Sequence, residues 1–188
     1  MTETPDSTNV EDRNARNRRL LLAMFAIAFL TLGASWLLFY VAQDGGVWGT
    51  TNKGTFVDPP LTAADLELQR PGGRPFLPGQ TWWLWVVSDG VCADECADAV
   101  YQMRQLHVLL NKDMDRVQRG LVSPPGAEQP VLGEYPKLVP LEGSLERLNT
   151  GIYIVDPIGN LVLYYPWSGG ARPVLDDLKK LLKLSQIG

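Results

Sequence analysis

The sequence predicts an α/β domain with a mixed central sheet and helices on its faces, preceded by one transmembrane helix. Three patterns carry this prediction. Residues 20–41 contain no charged side chain, a strand-like run at 81–87 leads into a helical repeat, and a hairpin pattern at 152–165 leads into an amphipathic helix. Strands that alternate with helices in this way are typical of α/β domains.

Composition limits the classes of function. The chain has 188 residues, 45% of them hydrophobic, which is enough for one ordinary domain with accessory segments. Its formal net charge is −4, so it lacks the basic surface that nucleic acid requires, and we expect no nucleic-acid partner. Prolines and glycines are numerous but spread along the chain, which is not a low-complexity pattern.

The apolar run at 20–41 is long enough to cross a membrane. As a helix its 22 residues would extend roughly 33 Å, against about 30 Å for a bilayer core. Trp36 and Tyr40 lie near its far end, where aromatic rings favour the headgroup region. A cleaved signal peptide is the main alternative, but its apolar core usually has only about 7–15 residues. We therefore expect a retained single span.

The flanking charges predict the orientation of this span. Four arginines precede it closely, whereas Lys53 is the one cation between it and Arg70. Because positive flanks stay in the cytoplasm, we expect a cytoplasmic tail at 1–19, the span at 20–41, a glycine-rich tether at 42–64 and a folded domain at 65–188. In a bacterium the protein would then be a single-pass inner-membrane protein with this domain in the periplasm, where disulfides persist.

The first part of the domain shows a hairpin and a buried strand. "DLELQRPGGRPF", 65–76, alternates apolar and polar residues around a Pro-Gly-Gly turn, which indicates a hairpin. "TWWLWVV", 81–87, is apolar on both faces and predicts a central strand. An apolar repeat at helical spacing then starts at Cys92, with Gly120 as a stop signal.

The second half of the domain is predicted to contain three strands, a loop and a closing helix. A short second strand is expected within 116–124, and 123–143, with its five prolines, is expected to form a loop with a short helix or turn near 133–139. "IYIVDPIGNLVLYY", 152–165, predicts two strands joined by a turn in which Gly159 adopts positive φ. An amphipathic helix at 172–184 closes the chain.

Both cysteines lie in the turn between the buried strand and the long helix. Cys92 and Cys96 are one helical turn apart if the helix starts near Cys92, so their sulfurs can approach each other or share an ion. The helix dipole favours thiolate there, and Asp94 and Glu95 oppose it. A redox couple, a metal-binding pair and an inert pair all fit this pattern. A disulfide would close only a tiny loop, so stabilisation alone is a weak reason for the pair.

Four features together carry a resemblance to a known family. They are the membrane anchor, the strand pair "DLELQRPGGRPF", the strand, loop and CxxxC motif "WWLWVVSDGVCADECADAV", and the late hairpin "IYIVDPIGNLVLYY". With these features the chain resembles the thioredoxin fold and, within it, the Sco/SenC group of cytochrome oxidase assembly proteins. The likeness covers roughly 65–184. Two positions depart from that group's pattern. Ala97 stands where a proline usually follows the second cysteine, and Leu148 or a neighbour stands where the copper-ligand histidine is expected. The proline that thioredoxins place before the late strand is also missing, since Asn149, Thr150 and Gly151 stand there.

The resemblance implies a role in cytochrome c oxidase biogenesis, with an oxidase subunit or another assembly factor as the partner. Without the histidine, thiol–disulfide exchange is favoured over stable copper transfer, with Cys92 as the attacking thiolate and Cys96 as the resolving one. No cofactor is assigned, although two thiolates leave Cu(I) binding open. Two other functions remain open: a non-catalytic scaffold for an oxidase component, and a general periplasmic disulfide reductase. Whether the protein is an enzyme is therefore not decided.

The other chemically capable residues are expected to be structural. His107, the single histidine, would lie about 16 Å along the helix from Cys96, too far to share a metal with the cysteines. Met103 is expected in the core, and Asp156 in a turn. The tryptophans are expected to pack in the core or at sheet edges, with a docking surface as the alternative for the last: Trp82, Trp83, Trp85 and Trp167.

Overall fold

In the computed structural model, which describes residues 7–43 and 51–185, the apolar segment lies in one long helix. This helix, α1, spans Ser7–Gln43. Among the described residues it is the one helix long and apolar enough to cross a membrane, over Arg16–Ala42. The chain divides into two units, Met1–Thr51 and Asn52–Gly188. Residues 1–6 of the expected cytoplasmic tail and 44–50 of the expected tether lie outside the described residues.

The second unit is built on a mixed sheet. In the described residues the sheet has eight strands in the order β1-β8-β7-β4-β5-β6-β2-β3. β4, β5 and β6 run parallel, and β7 pairs antiparallel with β4. The strands are β1 Thr55–Thr62, β2 Gln69–Arg70, β3 Arg74–Pro75, β4 Trp82–Val87, β5 Val117–Ser123, β6 Leu138–Glu142, β7 Gly151–Val155 and β8 Asn160–Tyr165.

Helices cover one face of this sheet. α2 spans Asp94–Leu109, α3 spans Val131–Glu134, and α4 spans Ala171–Leu184. Alternate residues of β4 point to opposite faces. Leu84 and Val86 pack with α2 and α4 in what we call the helix-side core. Trp83 and Trp85 pack on the other face with residues of the β2–β3 region, such as Phe76, which stands edge-on to Trp83 at a ring-centroid distance of 4.9 Å.

The structure corrects two predictions about the middle of the chain. α2 ends at Leu109 rather than near Gly120, and Gly120 lies inside β5. A Cβ on Gly120 would stand 2.9 Å from a ring carbon of Trp85, so the glycine permits close packing in the sheet. Residues 123–143, predicted to be a loop with a short helix or turn near 133–139, contain α3 and the strand β6, which pairs with β5 along its length.

The segment expected to be a tether also contains structure. β1 lies within 42–64 and pairs with β8. A buried carboxylate fastens the chain just before it. Asp177 of α4, with 2% of its surface exposed, accepts hydrogen bonds from the backbone N–H groups of Lys53 and Gly54 and from the hydroxyl of Tyr165. Burial and the Asp177 carboxylate both raise the pKa of Tyr165, which stays protonated as the donor.

Several predictions about individual strands and turns are confirmed. β2 and β3 form the expected hairpin, β4 is fully buried, and a strand lies within 116–124. β7 and β8 pair across a turn in which Gly159 has φ of +100°. The Asp156 carboxylate accepts the backbone N–H groups of Ile158 and Asn160, so its role in the turn is confirmed. The fold is the expected α/β arrangement with a mixed sheet.

Candidate functional site

The two cysteines flank the start of α2, at the carboxyl end of β4. Ala93 has extended backbone angles and precedes the first helical residue, so α2 begins at Asp94 and not at Cys92 as predicted. Asp94 adopts a φ of +44°, a conformation that aspartate tolerates better than most residues. Cys96 lies in the first turn, where its N–H donates to the carbonyl of Ala93 at 3.0 Å. The loop therefore carries Cys92 and the helix carries Cys96.

Cys92 and Cys96 form a disulfide, with their Cα atoms 5.1 Å apart. The sulfurs approach each other, which is one of the two arrangements that the spacing left open, although the helix starts later than expected. Each cysteine has 2% of its surface exposed, and both belong to the helix-side core. A reagent from solvent therefore cannot reach the sulfurs unless the covering loops move.

Gln129 holds the loop that carries Cys92. Its side-chain oxygen accepts the backbone N–H of Cys92 at 2.9 Å, and its side-chain nitrogen donates to the carbonyl of Gly90 at 3.0 Å. The Ser88 hydroxyl donates to the same carbonyl at 3.1 Å. Gln129 is 37 residues beyond Cys92, in a proline-rich stretch, and no sequence pattern singled it out. Sequence analysis missed this residue.

The charges around the pair act on its reduced form. The N-terminus of a 16-residue helix places a partial positive charge near Cys96, which favours a thiolate there. Asp94 and Glu95 are exposed, so solvent and salt screen their opposing effect. Of these electrostatic effects on a thiolate at Cys96, that of the helix dipole is therefore the one least weakened by solvent.

His107 is held at the other end of α2. Its Nε2 lies 2.8 Å from the carbonyl oxygens of both Met114 and Val117, so this nitrogen carries the proton and donates to both. The expectation that His107 is a packed residue is confirmed. Met103, 1% exposed, lies in the helix-side core as predicted.

Leu148, in the region where the resemblance would place a copper-ligand histidine, packs on the opposite face of the sheet from the cysteines. Leu148 packs with the core formed by Trp83 and Trp85, whereas the disulfide belongs to the helix-side core. Within residues 7–43 and 51–185, no group of three or more His, Cys, Asp or Glu side chains is placed to hold a metal. A copper site with a nitrogen ligand does not fit these residues. The reduced cysteine pair alone offers two soft sulfur ligands.

The tryptophans of β4 are core residues, as expected. Trp82, Trp83 and Trp85 are each at least 95% buried. Trp167 is half-buried and packs against the helix-side core, which contains the disulfide. It therefore does not present a free ring for docking.

The fold and the site define a class of protein: a thioredoxin-like domain with a cysteine pair at the N-terminus of its first long core helix. Residues 82–185 match the family model described as "Transmembrane-like, thioredoxin-like, C-terminal domain". This match covers more than half of the chain, so the protein belongs to that family. No curated protein matched the chain.

Solved structures of similar fold include Sco proteins. Apo Sco1 from Thermus thermophilus is 20% identical, with a TM-score of 0.53 over 71% of this chain and 99% of that one. Copper-bound ScoI from Arabidopsis thaliana is 17% identical, with a TM-score of 0.51 over 69% and 99%. Yeast Sco1 is 17% identical, with a TM-score of 0.51 over 64% and 93%. At these identities the comparison confirms the thioredoxin-like fold shared with Sco proteins.

Proposed function

We propose that this protein is a membrane-anchored thiol–disulfide exchange factor that assists cytochrome c oxidase biogenesis. The observation that carries the proposal is the Cys92–Cys96 disulfide between β4 and α2. The fold shared with Sco proteins supports the choice of an oxidase component as the client. The absence of an imidazole near the sulfurs favours electron transfer over stable copper transfer.

The exchange proceeds through the reduced pair. The Cys92 thiolate attacks a client disulfide, forming a mixed disulfide and releasing one client thiolate. The Cys96 thiolate then attacks the Cys92 sulfur, which releases the second client thiolate and forms the disulfide. Two electrons pass to the client, and the two released client thiolates take up two protons from solvent, which received the two protons that Cys92 and Cys96 lost on forming thiolates. A partner dithiol must then reduce the pair for another cycle.

The chain positions favour Cys92 as the attacking residue. Cys92 lies in the loop before the helix, whereas Cys96 is fixed in the first turn by its hydrogen bond to Ala93. Movement of the loop exposes Cys92 and leaves Cys96 in place. The two hydrogen bonds of Gln129 oppose that movement, so they limit access to the disulfide.

We also propose the location that this chemistry requires. The tail at 1–19 lies in the bacterial cytoplasm, α1 crosses the inner membrane within 20–41, a tether within 42–64 follows, and the domain at 65–188 is periplasmic together with β1. The arginines before the span support this orientation. A membrane-impermeant maleimide applied to intact spheroplasts after mild reduction tests it. Labelling of the cysteines is expected, and labelling only after lysis would refute the orientation.

The function is tested with cysteine variants of the full chain in its own host. Cys92→Ser/Cys96→Ser is expected to lower the amount of assembled oxidase, measured by its haem spectrum and activity. Cys96→Ser should accumulate a mixed disulfide with one oxidase component. If the double variant assembles oxidase fully, the exchange function is wrong and the scaffold function is favoured. If Cys96→Ser traps many unrelated proteins, the chain is a general reductase.

Cu(I) handling is a second candidate, since the 5.1 Å Cα separation brings two soft ligands together once the pair is reduced. Anaerobic titration of the reduced full chain with Cu(I) and a competing chelator tests it. Tight one-to-one binding lost in either serine variant would support copper handling. Binding that persists in both variants would refute a site at this pair.

A further inference from the structure

A cavity of about 370 Å³ opens beside α2, well along the helix from the disulfide. Its wall is formed by the C-terminal half of α2, by β5, and by the segment between α3 and β6. A cavity of this volume is within the range of small-molecule sites. The side chains that give it polar character are Arg104, His107, Arg119, Glu134, Tyr135 and Lys137.

Arg119 is the exceptional member of this wall. It has 6% of its surface exposed, although arginine is almost never buried unless it is paired. In β5 it lies beside Leu84 of β4 and Leu138 of β6, both in the helix-side core. Its Nη1 is buried and has no hydrogen-bond partner within residues 7–43 and 51–185. A buried Nη1 donor without a partner is unfavourable for the fold, so a ligand that accepts a hydrogen bond from it would stabilise the domain.

The charge of the wall indicates what that partner is. Arg104, Arg119 and Lys137 carry three positive charges against one negative charge on Glu134, which leaves a net charge of +2 on these four side chains. Glu134 is exposed and forms no ion pair with Arg119. Burial lowers the pKa of Arg119, and the positive charge of Arg104 lowers it further. His107 is not available as a ligand, because its Nε2 donates to two backbone carbonyls.

We propose that this cavity binds a small doubly charged oxyanion, a phosphate group, with Arg119 as the buried anchor and Arg104 and Lys137 at the mouth. A guanidinium presents a fixed fork of N–H donors that matches the oxygens of phosphate in two parallel hydrogen bonds. Tyr135, whose ring centroid lies 6.0 Å from the Arg104 guanidinium carbon, orients that side chain. The cavity has room for an ester group, so a phosphomonoester fits as well as free phosphate.

The test is calorimetric titration of the full chain in a non-ionic detergent with inorganic phosphate and, separately, with glycerol 3-phosphate. Ionic strength is held constant with chloride. Saturable one-to-one binding of either anion is expected. The anion that binds more tightly shows whether the cavity favours free phosphate or a phosphomonoester. Arg104→Gln should weaken binding by about tenfold or more, since a charge-assisted hydrogen bond is lost. Arg172→Gln, which removes a largely exposed charge on α4, is the matched control and should not change it.

Arg119→Met gives an independent readout. Because it replaces a buried unpaired charge by an apolar side chain of similar length, this variant should melt at a higher temperature than the natural protein without phosphate. Phosphate should raise the melting temperature of the natural protein and leave that of the variant unchanged. If Arg119→Met does not fold, the calorimetric titration of Arg104→Gln tests the phosphate site by itself. Absence of saturable binding at millimolar phosphate, or equal affinity in Arg104→Gln, would overturn the proposal.

Discussion

Replacing Gln129 with methionine isolates the contact that closes the cysteine loop. Methionine keeps a similar length and volume but can neither accept the Cys92 N–H nor donate to the Gly90 carbonyl. The closed loop thus loses two hydrogen bonds. In the open loop these backbone groups bind water, so its free energy is unaffected. The whole effect therefore falls on the free energy of opening.

The magnitude follows from those two bonds. Each contributes about 0.5–1.5 kcal/mol net, so opening becomes easier by about 1–3 kcal/mol. A free-energy change of that size raises the population of the open loop by roughly 5- to 150-fold. Each cysteine has 2% of its surface exposed, so reduction must proceed from the open loop. The rate of reduction should rise by the same factor.

The assay is reduction of the oxidised full chain by dithiothreitol, with the free thiols alkylated at intervals and counted by mass. Gln105→Ala, an exposed position on α2, is the control and should react at the natural rate. Thermal melting of each variant shows that the domain remains folded. A rate for Gln129→Met within twofold of the natural one would refute the role of Gln129 in restricting access.

Three further predictions concern the fold. Asp177→Ala should lower the free energy of unfolding by roughly 3 kcal/mol or more in urea titrations, because a buried carboxylate with three donors is lost. Asp176, which is partly exposed and forms ion pairs with Lys53 and Arg172, is the control, and Asp176→Ala should lower the free energy of unfolding by less than about 1 kcal/mol. Gly120→Ala should lower the free energy of unfolding by about 1–3 kcal/mol in the same assay, because its Cβ would overlap the indole of Trp85. Hydrogen bonds from Thr62 hold the pKa of Asp65 below its ordinary value, so this carboxylate adds stability above its unfolded-state pKa that is lost as the pH falls through its folded-state pKa. Thr62→Val should raise that pKa in an NMR titration, and an unchanged value would contradict this explanation.

The two strands that the sequence did not predict, β1 and β6, lack the clear pattern of the central strands β4 and β7. β4 and β7 are buried runs of aromatic and β-branched residues, which is a clear pattern for central strands. β1 contains two prolines and a register shift, and it lies at the edge of the sheet, where missing N–H donors are tolerated. β6 contains Pro140. Glycines and small polar residues predicted a tether around β1, and prolines predicted a loop around β6, so only the neighbouring strands reveal the pairing.

The site was predictable where its parts are close in sequence. Cys92 and Cys96 lie four positions apart, so the geometry of one helical turn brought them together even though the helix starts two residues later than expected. Gln129 and Arg119 carry no local signal. The first contacts the cysteine loop across 37 residues, and the second is buried because of its strand register between β4 and β6. Such long-range contacts depend on tertiary packing, which periodicity does not encode.

The position of the histidine bears on the choice between electron transfer and copper handling. A redox couple needs two sulfurs in reach and a helix N-terminus that favours thiolate, and the described residues provide both. A lasting Cu(II) site needs nitrogen ligands as well, but His107 lies at the far end of α2 from the cysteines and Leu148 packs on the other face of the sheet. A Cu(II) site at the cysteines would therefore require a nitrogen ligand on the helix-covered face of the sheet. A histidine introduced at Leu148 would be on the wrong side, so Leu148→His should leave Cu(I) affinity and the thiol dependence of binding unchanged. A gain of tight Cu(II) binding in Leu148→His would show that a side chain at position 148 can reach the cysteines. It would contradict the placement of Leu148 on the opposite face of the sheet.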